Sequence, residues 1–233
     1  MFILALESSG PKASAALWEN GQLIMLKDGP FKVTHSETLL PMAAALFAES
    51  KRELKELDAI AVSGGPGSFT GLRIGSATAK GLGLALDIPL VHVPTLKAMA
   101  YNFYGSDKLL VPIMDARRDQ VYTAVYSFKG GQCIEHLKAF AMSITELLKL
   151  LKGFGREVMF IGDGIAAFEN QIEADAQFAY TFAEEEKRLQ CAASVAMLGE
   201  MMAEAGDTVS ADMESPEYLR PSQAERVREE QGQ

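Results

Sequence analysis

The chain has 233 residues and a mass of 25.2 kDa, and its 48% apolar and 23% charged content is that of an ordinary soluble globular protein. With 22 Lys and Arg against 31 Asp and Glu, the net charge of −9 argues against a main role in gripping nucleic acid, which needs clustered cations. Two cysteines exclude a disulfide scaffold, and no apolar stretch approaches the ~20 residues of a membrane span. Reduced thiols and a cytoplasmic location are the expectation.

The opening MFILALESSG has a short apolar run without a basic flank, so residues 2–6 read as a buried strand rather than a leader. Ala13 to Trp18 reads as a second strand, Asn20-Gly21 as a hairpin turn, and Leu23 to Leu26 as a third strand. Thr34 and Glu37 fit a capping box that opens a helix reaching about Ser50. Leu57 to Ser63 reads as a strand, the glycine-rich SGGPGSFTG as a turn, and Thr70 to Leu86 as a helix. A strand at Pro89 to Val93 and a short helix from Thr95 to about Tyr104 follow. The pattern then restarts with strands at Leu109 to Met114, Gln120 to Phe128 and Gln132 to Phe140. Ser143 caps a helix to Leu151, Glu157 to Ile161 is a strand closed by Gly162-Asp163-Gly164, and Ala193 to Ala205 is a helix. The irregular PEYLRPSQAER turns polar and is expected to fray.

Glu7 and Asp115 end the first strand of each half, 108 positions apart, and the hairpin glycines Gly21 and Gly131 lie 110 apart. Each half reads strand–strand–strand–helix–strand, which predicts an α/β chain of two similar lobes, each a mixed sheet flanked by helices, with a cleft between them. The predicted division is 1–106, 107–214 and a tail at 215–233.

Carboxylates at strand ends facing a cleft can hold a metal through water or act as a base, and they can equally be solvated caps. Glu7 is followed by Ser8, Ser9 and Gly10, a small turn able to admit a phosphate, with Lys12 nearby. The glycines at 64, 65, 67, 71 and 75 can turn backbone N–H groups toward an anion, or simply permit a tight strand-to-helix turn. Glu7, Ser8, Gly67 and Asp115 are therefore the candidate cofactor contacts, although neither GxxxxGK[ST] nor GxGxxG is present. The three histidines, His35, His92 and His136, and the single Cys133 and Cys191 make no metal-ligand spacing, so no metal and no catalytic residue is expected.

Two helices of the first half lack the usual charged outer face. Residues 38–48 carry no charge, and between Thr70 and Leu86 only Arg73 and Lys80 do. Gly71, Gly75, Ala79 and Gly83 form a stripe of small residues at i+4 spacing, suited to close approach. Both helices read as buried on more sides than one sheet covers, either under the second lobe or against a partner. The predicted interface comprises Leu39, Met42, Leu46, Gly71, Gly75, Ala79 and Gly83.

ILALESS, SGGPGSFTGLRIGSATAKGLG at 63–83, MDARRDQVY at 114–122, GDG at 162–164 and PEYLR at 216–220 together resemble the TsaB family, also called YeaZ, of the bacterial tRNA threonylcarbamoyladenosine pathway. The resemblance extends to about residue 225. It implies the actin-like, sugar-kinase-like ATPase fold with ribonuclease-H-like lobes. The catalytic relative TsaD carries a His-x-x-x-His metal pair that falls on Thr95 and Met99, and the superfamily's first-lobe Asp is Glu7. The resemblance thus implies a non-catalytic subunit that binds and supports TsaD together with the ATPase TsaE. That complex transfers threonylcarbamoyl to the N6 of adenosine in tRNAs reading codons that start with A. It further implies a homodimer when alone, tRNA met indirectly, and ATP or ADP only within the complex. The rival readings are a small kinase or ATPase of this fold, with Glu7 and Asp115 as metal-cleft carboxylates, and a glycoprotease-like protein.

Overall fold

A computed structural model describes residues 1–31 and 33–219. The first half runs β1 (Phe2–Glu7), β2 (Ser14–Glu19), β3 (Gln22–Asp28), α1 (His35–Ser50), β4 (Ala59–Gly65), α2 (Phe69–Leu86), β5 (Leu90–Pro94) and α3 (Thr95–Tyr101). The second runs β6 (Leu109–Asp115), β7 (Gln120–Lys129), β8 (Gln132–Ser143), α4 (Ile144–Lys152), β9 (Val158–Ile161), α5 (Ile165–Asp175), β10 (Tyr180–Phe182) and α6 (Ala192–Glu204). The sheets have orders β3-β2-β1-β4-β5 and β8-β7-β6-β9-β10. In each, a hairpin pairs antiparallel on a parallel trio. The duplication is therefore complete. Beyond the expected elements the second half gains α5 and β10, which gives it the same order of strands and helices as the first.

The apolar runs become the central strands because both faces of those strands are covered: β1 and β4 are buried at every residue. The outer helices α1 and α2 cover one face of the first sheet, with Leu39, Ala43, Leu46 and Phe47 packed over Leu4, Leu17 and Ile60. α4 and α5 cover the outer face of the second sheet in the same way. Between the sheets lies a shared core in which the last helix of each half crosses over. α6 packs on β1, β2, β4 and β5 of the first sheet, and α3 on β6 and β7 of the second. The line at 106/107 separates the sheets while leaving each half's last helix on the other's sheet.

The crossing is tightly specified. A Cβ on Gly199 of α6 would lie 2.6 Å from Ala61 Cβ, so only glycine lets the helix backbone approach β4 this closely. The buried Glu200 accepts hydrogen bonds from Trp18 Nε1 (2.7 Å) and Gly21 N (2.9 Å) in the first hairpin. Ala192 N at the start of α6 donates to Ser14 Oγ, and Asn102 after α3 donates to Lys187 O and Leu189 O. Among the described residues no helix is long and apolar enough to cross a membrane.

The helix starts differ from expectation in one place. Ser143 and Glu146 form a reciprocal capping box at α4. Thr34 occupies the N-cap of α1 but its side chain makes no cap hydrogen bond; Glu37 N donates to the Thr34 carbonyl instead. The Thr34–Glu37 capping box does not form.

Candidate functional site

At the end of β1 the Glu7 carboxylate is buried, with Oε1 accepting from Ser9 N (2.5 Å) and Ser9 Oγ (2.6 Å). Among the described residues Oε2 has no hydrogen-bond partner. Burial pushes the Glu7 pKa up from its ordinary 4.5, against the opposing pull of the Ser9 hydrogen bonds. Ser8 is fully buried and donates from Oγ to Gly71 O at 2.8 Å.

The glycine-rich segment folds down onto this serine turn. A Cβ on Gly67 would lie 2.6 Å from Ser9 Cβ, and one on Gly71 would lie 2.0 Å from Ser8 O. Ser68 N donates to Ser9 O (2.8 Å), Gly65 N to Thr95 Oγ1 (3.2 Å) and Gly71 N to Ser68 Oγ (3.3 Å). Three amides that a phosphate cradle would use are thus engaged within the chain. The two readings of this motif resolve toward a tight strand-to-helix turn, with glycine required for backbone contact with Ser8 and Ser9.

Asp115 ends β6 with Oδ1 accepting from Arg117 N (2.7 Å) and Oδ2 paired with Arg117 Nη1 (3.0 Å). Arg117, Arg118 and Asp119 follow at φ of 64°, 54° and 57°, a left-handed turn that costs about 1–2 kcal/mol for each non-glycine residue. Two residues that sequence reasoning missed stand between the lobes. Gln190 donates from Nε2 to Asp163 Oδ1 (3.1 Å), while its Oε1 abuts Gly10 closely enough that a Cβ there would lie 2.4 Å away. Burial first, and the nearby Asp115 charge second among the raising effects, push the Asp163 pKa up. The GDG turn marked Asp163 only as a strand end, and nothing in the sequence marked Gln190. A cleft of about 670 Å³ opens beside them, lined by Lys12, Trp18, Phe31, Asp163, Gln190 and Met197. Lys12 is not a free cation there, being paired with Asp28 at 2.9 Å.

Thr95 and Met99 are both buried, Thr95 accepting from Gly65 N and Met99 lying against Gly162. The histidines are scattered: His35 donates to Gly10 O, His92 faces Glu214, and His136 contacts Ser127 Oγ. Among the described residues no three His, Cys, Asp or Glu side chains come together as a metal site.

The predicted interface residues need correction. Leu39 and Leu46 are fully buried in the chain's own core, and Met42 is half-buried beside Gly29. The small-residue stripe also points inward: Gly71 and Gly75 meet Ser8, Ala79 is buried, and Gly83 meets Leu90 and Ala211. The stripe permits close approach, as its spacing predicts, but what approaches is the turn after β1 and the chain's own tail. The outward face consists of Leu40 (51% exposed), Pro41, Ala44 and Ala48 of α1, with Ala77, Gly81, Leu84 (62%) and Ala85 of α2. A Cβ on Gly81 would meet nothing within 4 Å.

A family model described as TsaD, tRNA N6-adenosine threonylcarbamoyltransferase, matches residues 32–226. A Bacillus subtilis protein named tRNA threonylcarbamoyladenosine biosynthesis protein TsaB is 33% identical over 230 residues, 97% of this chain and 96% of that one. The chain belongs to the TsaB family. A crystal structure of a Pseudomonas aeruginosa protein similar to peptidase YeaZ superposes with a TM-score of 0.81 at 26% identity, covering 94% of this chain and 99% of that one. A ROK hexokinase from Thermus thermophilus, at a TM-score of 0.50 and 12% identity over 88% of this chain and all of that one, shares the fold alone. Within the family, then, this chain has the actin-like ATPase fold with ribonuclease-H-like lobes, and positions 95 and 99 are occupied by core-packing side chains.

Proposed function

We propose that this chain serves tRNA threonylcarbamoyladenosine biosynthesis as a docking subunit rather than as the catalyst. The observation that carries the reading is the outward face of α1 and α2. It joins exposed Leu40 and Leu84 to the small residues Ala44, Ala48, Ala77 and Gly81, with the exposed charges Glu37, Glu49 and Arg73 at its rim. Glycine inside a helix costs about 1 kcal/mol relative to alanine, and nothing among the described residues requires it at position 81. A partner helix laid against the face supplies a reason. The partner is TsaD in the working complex, with TsaE, and a second copy of this chain when it is alone; the family names support the first assignment. Catalysis by TsaD through metal-held groups has no counterpart here, because Thr95 and Met99 are core residues and Glu7 is held by its own turn. The engaged amides of the glycine-rich turn support the further reading that the chain binds no nucleotide itself, leaving ATP or ADP to the complex. tRNA is met through the partner, in keeping with the net charge of −9, and the location is cytoplasmic.

The test is reconstitution. TsaD, TsaE, tRNA and threonylcarbamoyl adenylate are combined with and without this chain, and modified adenosine is counted by mass spectrometry. Modification should depend on the chain, and the chain alone should neither modify tRNA nor turn over ATP. Robust ATP turnover by the pure chain, lost in Glu7→Ala, would replace the docking reading with the kinase one.

A further inference from the structure

α2 carries only two charged side chains, the exposed Arg73 and the half-buried Lys80. Both are engaged by the segment that follows α6. That segment begins as an added edge of the first sheet, with Leu90 and Val209 exchanging backbone hydrogen bonds of 2.9 Å in each direction. It then runs antiparallel along α2. Ala211 lies against Gly83, and Lys80 Nζ donates to Asp212 O (3.1 Å) and Glu214 O (2.8 Å). Ser76 Oγ donates to Glu214 Oε2, with His92 Nδ1 3.5 Å from Oε1. Glu217 N donates to Gly64 O (2.7 Å), and Tyr218 packs at a tilt on Phe69 (4.9 Å between centroids) while its hydroxyl accepts from Arg73 Nε (3.2 Å).

Positions 69, 73, 76, 80 and 83 form one continuous side of the helix, and the segment covers that side from end to end. Glu214 is 2% exposed, which makes it a latch buried between α2 and β5 rather than a surface contact. The inward side of α2 settles on Ser8 at Gly71 and Gly75, with Leu72 and Ala79 buried and Ile74, Leu82 and Leu86 packed against the outer core. The strap adds aromatic and polar contacts along a separate side, through Phe69, Arg73, Ser76 and Lys80.

We propose that residues 208–218 are a positioning strap that sets the pose of α2 for partner docking, with Glu214 as its latch and Tyr218 as its terminal clasp. This rests on the docking role proposed above for the outward face. A helix that must meet a partner through small residues needs its backbone fixed to within a fraction of a side chain, because each freed degree of motion is lost again on binding. The strap thereby couples a segment distant in sequence to affinity at a face it does not itself form.

The experiment uses the full chain with Glu214→Ala, Lys80→Met and Tyr218→Ala. Hydrogen–deuterium exchange is read over α2 and residues 207–218, with α4 as internal reference, and association with TsaD and with a second copy is measured beside it. Exchange across α2 should rise about tenfold with α4 unchanged, because the helix opens locally. Association should weaken about tenfold through lost preorganisation. Glu214→Gln, which keeps the shape and the Ser76 contact, should restore most of both. If one variant fails to fold, the other two carry the measurement. Unchanged exchange in α2 overturns the strap's grip, and raised exchange with unchanged association overturns its coupling to docking. Gly81→Trp separates the two readings: it should abolish association with exchange unaltered. If it leaves association intact while strap variants still loosen α2, the docking face is wrong and the coupling falls with it.

Discussion

The outer helix pairs of the two halves occupy equivalent positions in one repeated topology, yet they meet solvent in opposite ways. α4 and α5 bury Ile144, Leu147, Leu151, Ile165, Phe168 and Ile172 and expose Glu146, Lys149, Lys152, Glu169 and Glu173. α1 and α2 bury an equally apolar side and expose Leu40, Ala44, Ala77 and Leu84, with the exposed charges Glu37, Glu49 and Arg73 confined to the margin. Folding requires only the inner side, so the second pair shows what this scaffold presents to water when nothing further is asked of it. The difference at the outer side of the first pair is the part of the molecule that folding does not explain.

The sharpest way to break this comparison is to place a charge on each outer face. Ala44→Glu or Leu84→Glu should leave the fold intact by circular dichroism and elute as a monomer. Association should fall by at least about a hundredfold, since an unpaired charge buried at an interface costs ~3–5 kcal/mol. Reversing charge on the second pair with Lys149→Glu should change neither, within about 0.5 kcal/mol of stability. Equal effects in both pairs would remove the asymmetry.

A smaller effect separates the buried glycines of α2 from the exposed one. Gly75→Val drives a side chain into Ser8 and should cost about 1–3 kcal/mol in urea unfolding. Gly81→Ala fills open space and should stabilise by about 0.5–1 kcal/mol. A destabilising Gly81→Ala would mean that the face is not free in the isolated chain. The caps offer a third contrast. Ser143→Ala should cost about 1 kcal/mol, whereas Thr34→Ala should cost only a few tenths, because only the serine makes the cap hydrogen bond. Chemical denaturation of both variants checks this directly.

The smallest effect is one of pH. The folded pKa of Glu7 is raised above its unfolded value, so its contribution to stability is fully present below about 4.5 and is lost as pH rises through the higher folded value. Glu7→Gln should therefore gain on the parent as pH climbs out of the acid range, measured as a growing difference in melting temperature. A pH-independent difference would mean that the carboxylate ionises freely where it stands.

The repeat was readable in sequence because glycine turns and strand-end carboxylates recur at nearly constant spacing in both halves. α5 and β10 escaped because Gly164 caps α5 without a side-chain hydrogen bond, and because β10 is three partly buried residues held by neighbouring aromatic rings. The family motifs were readable, but their purpose was not. PEYLR and the glycine-rich run lie far apart in sequence, and it is the fold that brings Glu217 onto Gly64 and Tyr218 onto Phe69; Arg220 lies outside the described residues. The helical stripe of Gly71, Gly75, Ala79 and Gly83 had the right periodicity, yet periodicity reports only that something comes close. Arg73 and Lys80 read only as the two charges of α2, because a strap of irregular backbone leaves no period to detect.

The crossed helices bear on how the protein is made. A ribosome releases the first half complete with its hairpin, its parallel trio and its outer helices, but the cover for the inner face of that sheet is α6, nearly the last element to emerge. Until then Ile3, Ala61 and Val93 face water, and Glu200 is not there to receive Trp18. The nascent first half therefore carries an open apolar sheet through most of synthesis, the condition under which chaperones are recruited and chains aggregate. Two halves expressed as separate chains cut between α3 and β6 would each lack a helix of their own and hold one of the other's, so they should be insoluble apart and should recover when produced together.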